Sequence, residues 1–191
     1  MKFKIGVFGS AEGDIEHIFK KARKLGEILA TKNVIIITGA CGGIPYQIVL
    51  SAHQKKGEIW GYSPYKDYKS HIEGEIDYDN SIYKKLFFIP ENIQAFRSIL
   101  VARKYRNVIS CANCDAGIIV CGRWGTMNEF TNLFDMGKVI GILTGTGGVA
   151  DELSNLTQKL HKTSKAKVLF SSSPEKLVEL VLKELEKRRN I

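Results

Sequence analysis

DAGIIVCGRWGTMNEF, residues Asp115 to Phe130, joins a short apolar run, Ala116 to Cys121, to a glycine-punctuated turn, Gly122-Arg123-Trp124-Gly125-Thr126. A helix-like segment carrying Glu129 follows directly. A buried strand that feeds a glycine turn and then a helix start is a ready anion site. The first amides of a helix lack intrahelical partners, and its dipole favours negative charge there. Glycines let backbone approach a phosphate closely. The stretch therefore predicts a nucleotide or sugar-phosphate pocket, with Glu129 one turn away.

On either side the same grammar repeats. Phe3 to Phe8, Val34 to Thr38, Ile59 to Tyr62, Leu86 to Ile89, Val139 to Leu143 and Lys167 to Phe170 read as strands, the second and fifth as continuous runs buried on both faces. Helices are expected over Ile15 to Thr31, Tyr46 to Gln54, Ile93 to Asn113, from about Met127, near Asp151 and from Pro174. Strand, glycine turn, helix, repeated, predicts a three-layer α/β fold: a Rossmann-like, doubly wound parallel sheet in a single domain over residues 1–191. In such sheets ligands bind beyond the carboxyl ends of the strands. Gly9-Ser10, Thr38-Gly39-Ala40-Cys41-Gly42-Gly43, the Gly122 turn and Thr144-Gly145-Thr146-Gly147-Gly148 all fall at predicted strand ends, so they should converge on one edge. Ser10 and Thr38 there are either ligand hydroxyls or turn and cap residues.

A chain of 191 residues with 44% hydrophobic and 25% charged residues is ordinary for one soluble domain. No apolar run reaches the ~18–20 residues that span a bilayer, and a cytoplasmic, membrane-free protein is expected. The net charge of +8 is spread over Lys20-Lys21-Ala22-Arg23-Lys24, Lys84-Lys85 and Lys187-Arg188-Arg189, which suits solvated helix faces better than a nucleic-acid surface. Cys41, Cys111, Cys114 and Cys121 form no disulfide framework, and Cys111-Ala112-Asn113-Cys114 has no second pair, so buried small residues are favoured over metal or redox chemistry. His17, His53, His71 and His161 share no spacing. Neither metal nor cofactor is expected.

Two features admit two readings. Thr126-Met127-Asn128-Glu129 is a capping box as well as a candidate site. Ser63 to Lys85, with Tyr65, Tyr68, Tyr78 and Tyr83, is either an irregular surface connection or a lid over the pocket. In the long helix Val101, Tyr105, Val108 and Ala112 mark one apolar face, which turns Arg106 away from it. Ile93, Phe96, Ile99, Leu100 and Val101 make its first half apolar over much of its circumference, which suits burial against a second subunit.

Arg106-Asn107, Asp115, Cys121 to Thr126 and Glu129 together resemble the LONELY GUY (LOG) proteins, often labelled lysine decarboxylase-like, within the superfamily of DNA-processing and LOG proteins. That family carries P-G-G-x-G-T-x-x-E where this chain has Cys121-Gly122-Arg123-Trp124-Gly125-Thr126-Met127-Asn128-Glu129. Arg-Asn in the long helix and Thr-Gly-Thr-Gly-Gly after the next strand are similar to the bacterial and archaeal branch. The resemblance implies a homodimer that hydrolyses the N-glycosidic bond of nucleoside 5′-monophosphates without metal, releasing base and ribose 5-phosphate. It implies phosphate or nucleotide contacts from Gly122, Arg123, Trp124, Gly125, Thr126, Gly9, Ser10, Thr38, Gly39, Gly42, Gly43 and Asn107. Glu129 would stabilise the oxocarbenium ion or orient water, and Arg106 would position the nucleotide. Cys121 stands in place of the family's proline and Arg123 in place of its second glycine; the arginine would clamp phosphate, fill the space, or need a torsion that glycine reaches more cheaply. The rival reading is a non-catalytic binder or carrier of a phosphorylated ligand, as in molybdenum cofactor carriers.

Overall fold

A computed structural model describes residues 2–160 and 162–190, so His161 lies outside the described residues. The apolar runs form the strands β1 (Lys4–Gly9), β2 (Ile35–Thr38), β3 (Glu58–Tyr62), β4 (Lys85–Phe87), β5 (Ala116–Val120), β6 (Val139–Leu143) and β7 (Lys167–Ser171). They build one all-parallel seven-stranded sheet in the order β4-β3-β2-β1-β5-β6-β7. Strands β2, β5 and β6 are buried at every position, as uninterrupted apolar sequence demands when both faces are covered.

Helices α1 (Phe19–Ala30), α2 (Gly43–Gln54), α3 (Tyr68–Gly74), α4 (Ile99–Ala112), α5 (Trp124–Asp135), α6 (Gly148–Lys159) and α7 (Pro174–Arg189) complete the layers. The period-2 alternation of the strands splits the core. Ile5, Val7 and Ile36 pack with Leu25, Ile48 and Val181 of α1, α2 and α7. Phe8, Ile35 and Ile37 pack with Cys111, Leu133 and Leu153 of α4, α5 and α6. From β1 to β4 the chain steps outward one way; it then returns to lay β5 beside β1 and steps outward the other way. That reversal opens a crevice at the carboxyl ends of β1 and β5, where doubly wound sheets bind ligands. Among the described residues no helix is long and apolar enough to cross a membrane.

Several boundaries differ from expectation. The long helix begins at Ile99, not Ile93: Ile93 and Ser98 are extended and bracket a 3-10 turn, Gln94–Arg97. Ser98 occupies the N-cap, and its carbonyl accepts the Ala102 amide at 3.0 Å. Helix α2 starts three residues before Tyr46, because the Ile44 amide bonds the Ser10 carbonyl at 2.9 Å and ties the turn down. The segment Ser63 to Lys85 is more ordered than either sequence reading, holding α3 and a 3-10 turn, Asn80–Ile82. His71 ties it together, with Nδ1 at 3.1 Å from Ser63 Oγ and Nε2 at 2.9 Å from Asn80 Oδ1.

Candidate functional site

Strand β5 ends at Val120, and the chain then turns through two left-handed residues, Cys121 (φ 55°) and Gly122 (φ 105°). Glycine adopts that conformation at no steric cost; cysteine does not. The following glycine turn holds Cys121 in place. The Cys121 amide donates to Thr146 Oγ1 at 2.8 Å, and that hydroxyl donates to the Leu143 carbonyl at 2.7 Å. The carbonyls of Cys121 and Gly122 accept the Ala150 and Val149 amides, each at 2.9 Å. Arg123 is then extended (φ −125°, ψ −155°), a torsion open to any residue, and caps α5 without a side-chain bond. The amides of Trp124, Gly125 and Thr126 thus form the unpaired first turn of a twelve-residue helix.

Helix α5 starts at Trp124, not about Met127, which removes the capping box. Thr126 is its third residue and Glu129 its sixth, one and a half turns in, where no free amide remains to cap. Glu129 faces inward and is only 7% exposed. It lies in a cleft of about 410 Å³ at the β1–β5 switch point. Gly9, Ser10 and Ala11 form one wall, Gly39 and Cys41 another. Leu100, Arg103, Lys104, Arg106 and Asn107 come from α4, and Arg123, Gly125, Thr126 and Glu129 from α5.

Burial pushes the Glu129 carboxyl up to about 7, against the opposing pull of the Arg106 and Lys104 charges. Arg106 is buried, and its Nη1 donates to the Gly39 carbonyl. Any side chain at position 39 would occupy the guanidinium's space, so this glycine serves Arg106. Asn107 Nδ2 donates to Asn128 Oδ1 at 3.2 Å and reaches the Gly125 carbonyl at 3.5 Å, which joins α4 to the start of α5. Arg106 Nε, Asn107 Oδ1 and Thr38 Oγ1 are buried without hydrogen-bond partners, a concentration of unmet polar atoms around the cleft. Burial also raises the Cys41 thiol, partly offset by Arg106.

The structure brings Gly9, Ser10, Gly39, Arg106, Asn107, Arg123, Gly125, Thr126 and Glu129 together, and leaves other expected residues outside the lining. Gly42 packs on the Tyr78 ring and Gly43 on the Ser10–Ala11 backbone. Thr38 is fully buried beneath the turn. Gly122 sits behind the loop against Thr126, and the Trp124 indole stands 85% exposed, leaving only its amide at the turn. The Thr144–Gly148 turn does not open to a ligand either: the Asp151 carboxylate accepts its Gly145 and Gly147 amides at 2.7 and 2.8 Å. A larger hollow of about 860 Å³ lies between residues 64–70 and 89–99, away from Glu129 and the α5 amides.

The expected face of α4 is inverted. Ala102, Arg106, Asn107, Ser110 and Cys111 are buried, while Leu100, Val101 and Val108 face outward. Arg103 and Lys104 went unnoticed in sequence, and Cys41 is read there only as a turn residue and a buried thiol; Arg103 and Arg106, three apart on one helix, were the available signal. Asp115 ties the start of β5 to β1, with Oδ2 accepting the Lys4 amide at 2.8 Å. Cys111 and Cys114 are buried, and their thiols donate to the Glu129 and Ser110 carbonyls.

A parallel sheet with a helix N-terminus and a buried carboxylate at its switch point defines a Rossmann-like α/β protein. More particularly, the chain belongs to the SLOG cluster4 family, whose model matches residues 2–178. An uncharacterised protein of Archaeoglobus fulgidus is 29% identical over 143 residues, 73% of this chain and 79% of that one. Among solved structures, the structural-genomics target TM1055 is similar with a TM-score of 0.78 at 18% identity, covering 96% of this chain and 99% of that one. The molybdenum cofactor binding protein of Rippkaea orientalis is similar with a TM-score of 0.68 at 22% identity, covering 97% and 98%.

Proposed function

We propose that this protein hydrolyses the N-glycosidic bond of nucleoside 5′-monophosphates, giving free base and ribose 5-phosphate. The observation that carries the reading is Glu129: a buried carboxyl pushed up to about 7, in a cleft that also presents the first turn of α5. The free amides of Gly125 and Thr126 suit a phosphate. With the phosphate there, the attached sugar extends toward Glu129. Positive charge builds on the sugar as the base departs, and a fixed carboxylate favours that transition state electrostatically or takes a proton from the attacking water. Arg106, rigidly held by Gly39, orients the nucleotide. The ionised carboxylate is the working form, so turnover should rise with pH through about 7.

The test offers AMP, GMP, CMP and IMP and measures released base and ribose 5-phosphate. Wild type should turn over at least one of them. Glu129→Gln should lower the rate by roughly 10²–10³ or more while still binding nucleotide.

Arg123, a bulky cation at the phosphate turn, favours a second reading, in which the cleft holds a phosphorylated ligand without cleaving it. Tight nucleotide binding with no base released by wild type would select it. The outward apolar residues of α4 support a homodimer in either case.

A further inference from the structure

The guanidinium of Arg123 begins at the N-cap of α5, directly before the three free amides, and the residue lines the cleft. Its Nη2 donates to Glu12 Oε2 at 3.3 Å. Glu12 lies on the loop after β1, so this pair spans the mouth between the two strands of the switch point. Both side chains are open to water, 58% exposed for Arg123 and 76% for Glu12. An ion pair that open is weak and exchanges readily. A phosphate dianion at the α5 amides would offer the same guanidinium a stronger, bidentate partner.

We propose that Arg123 is the phosphate-selecting residue of this cleft and that Glu12 is its built-in competitor, the incoming phosphoryl group displacing the Glu12 carboxylate from the guanidinium. This rests on the reading of the α5 turn as a phosphate site, but not on glycosidic cleavage. The exchange makes the cleft discriminate between phosphorylated and unphosphorylated forms of one ligand. A residue larger than glycine fits at position 123 because its backbone is extended, and its guanidinium reaches the exposed Glu12 carboxylate.

Equilibrium binding of AMP, adenosine and inorganic phosphate to wild type, Arg123→Ala, Glu12→Gln and the double variant tests this at low ionic strength. Arg123→Ala should weaken AMP and phosphate by roughly 10-fold or more and leave adenosine unchanged. Glu12→Gln should tighten AMP and phosphate about 2- to 5-fold in the wild-type background. In the Arg123→Ala background it should do nothing. Equal tightening in both backgrounds would mean that Glu12 repels the ligand through space, and would overturn the exchange. Unaltered AMP and phosphate affinity in Arg123→Ala, or a wild type that binds neither, would overturn it as well. Phosphate binding with the predicted coupling but no base release would uphold the exchange while ending the hydrolase reading.

Discussion

At Glu129, burial and charge act in opposite directions, and burial wins. The consequence reaches beyond catalysis. A carboxyl with a folded pKa near 7 and an ordinary value of 4.5 binds more protons folded than unfolded between those limits. Its contribution to stability is complete below about 4.5 and is lost as pH rises through 7. The shift sets an upper bound of about 3 kcal/mol for that loss. Glu129→Gln keeps the shape and removes the titration, so its stability advantage over wild type should widen from pH 5 to pH 8 in urea denaturation. An equal gap at both pH values would contradict a carboxyl that burial holds above its ordinary range. Glu129 and the glycines around it were legible because the motif names them. The buried state of Arg106 was not: helical spacing identifies residues that share a face, but the packing partner decides which face turns inward.

The Cys121–Gly122 turn works as an element only because the next glycine turn braces it. Thr146 caps the Cys121 amide, α6 caps two carbonyls, and Asp151 accepts the Gly145 and Gly147 amides of its own turn. Two turns that look alike in sequence therefore divide the labour: one presents amides and the other supports it. Cys121→Pro should be severe. Proline cannot reach φ 55° and has no amide to give Thr146, a combined cost of about 3 kcal/mol or more. Cys121→Gly, which meets both demands, should leave the denaturation midpoint near or above wild type. A proline variant as stable as the glycine variant would show that the turn is not clamped this way. The division of labour was hidden because Asp151 lies within a helix by its spacing, and only the folded turn brings its carboxylate onto Gly145 and Gly147.

For the whole molecule, the outward face of α4 matters most. Leu100, Val101 and Val108 are 68%, 42% and 38% exposed, on the helix that forms a wall of the cleft. Apolar area removed from water stabilises by roughly 25 cal/mol per Å², so a second copy covering this face would gain by burying it and would set the position of Arg103, Lys104 and Arg106 at once. Val101→Lys with Val108→Lys should convert a dimer to a monomer in sedimentation velocity and weaken nucleotide binding with it. A wild-type monomer at micromolar concentration would remove this arrangement. The apolar character of the helix was plain in sequence. Its assignment to the exterior came only from seeing the polar face packed inward around Arg106 and Asn107.

By itself the sequence determined the class of fold, a doubly wound parallel sheet, and the turn before Glu129, because uninterrupted β-branched runs, glycines and helical periods are local signals; the strand order came from the structure. The tertiary structure alone decided which glycine turn stays open, which face of α4 is buried, and how Arg123 meets Glu12. The buried face of α4 and the Arg123–Glu12 pair depend on contacts 67 and 111 positions apart, which no local pattern encodes. The Asp151 contacts that close the other turn span only six and four residues, yet they need the folded turn to bring them together.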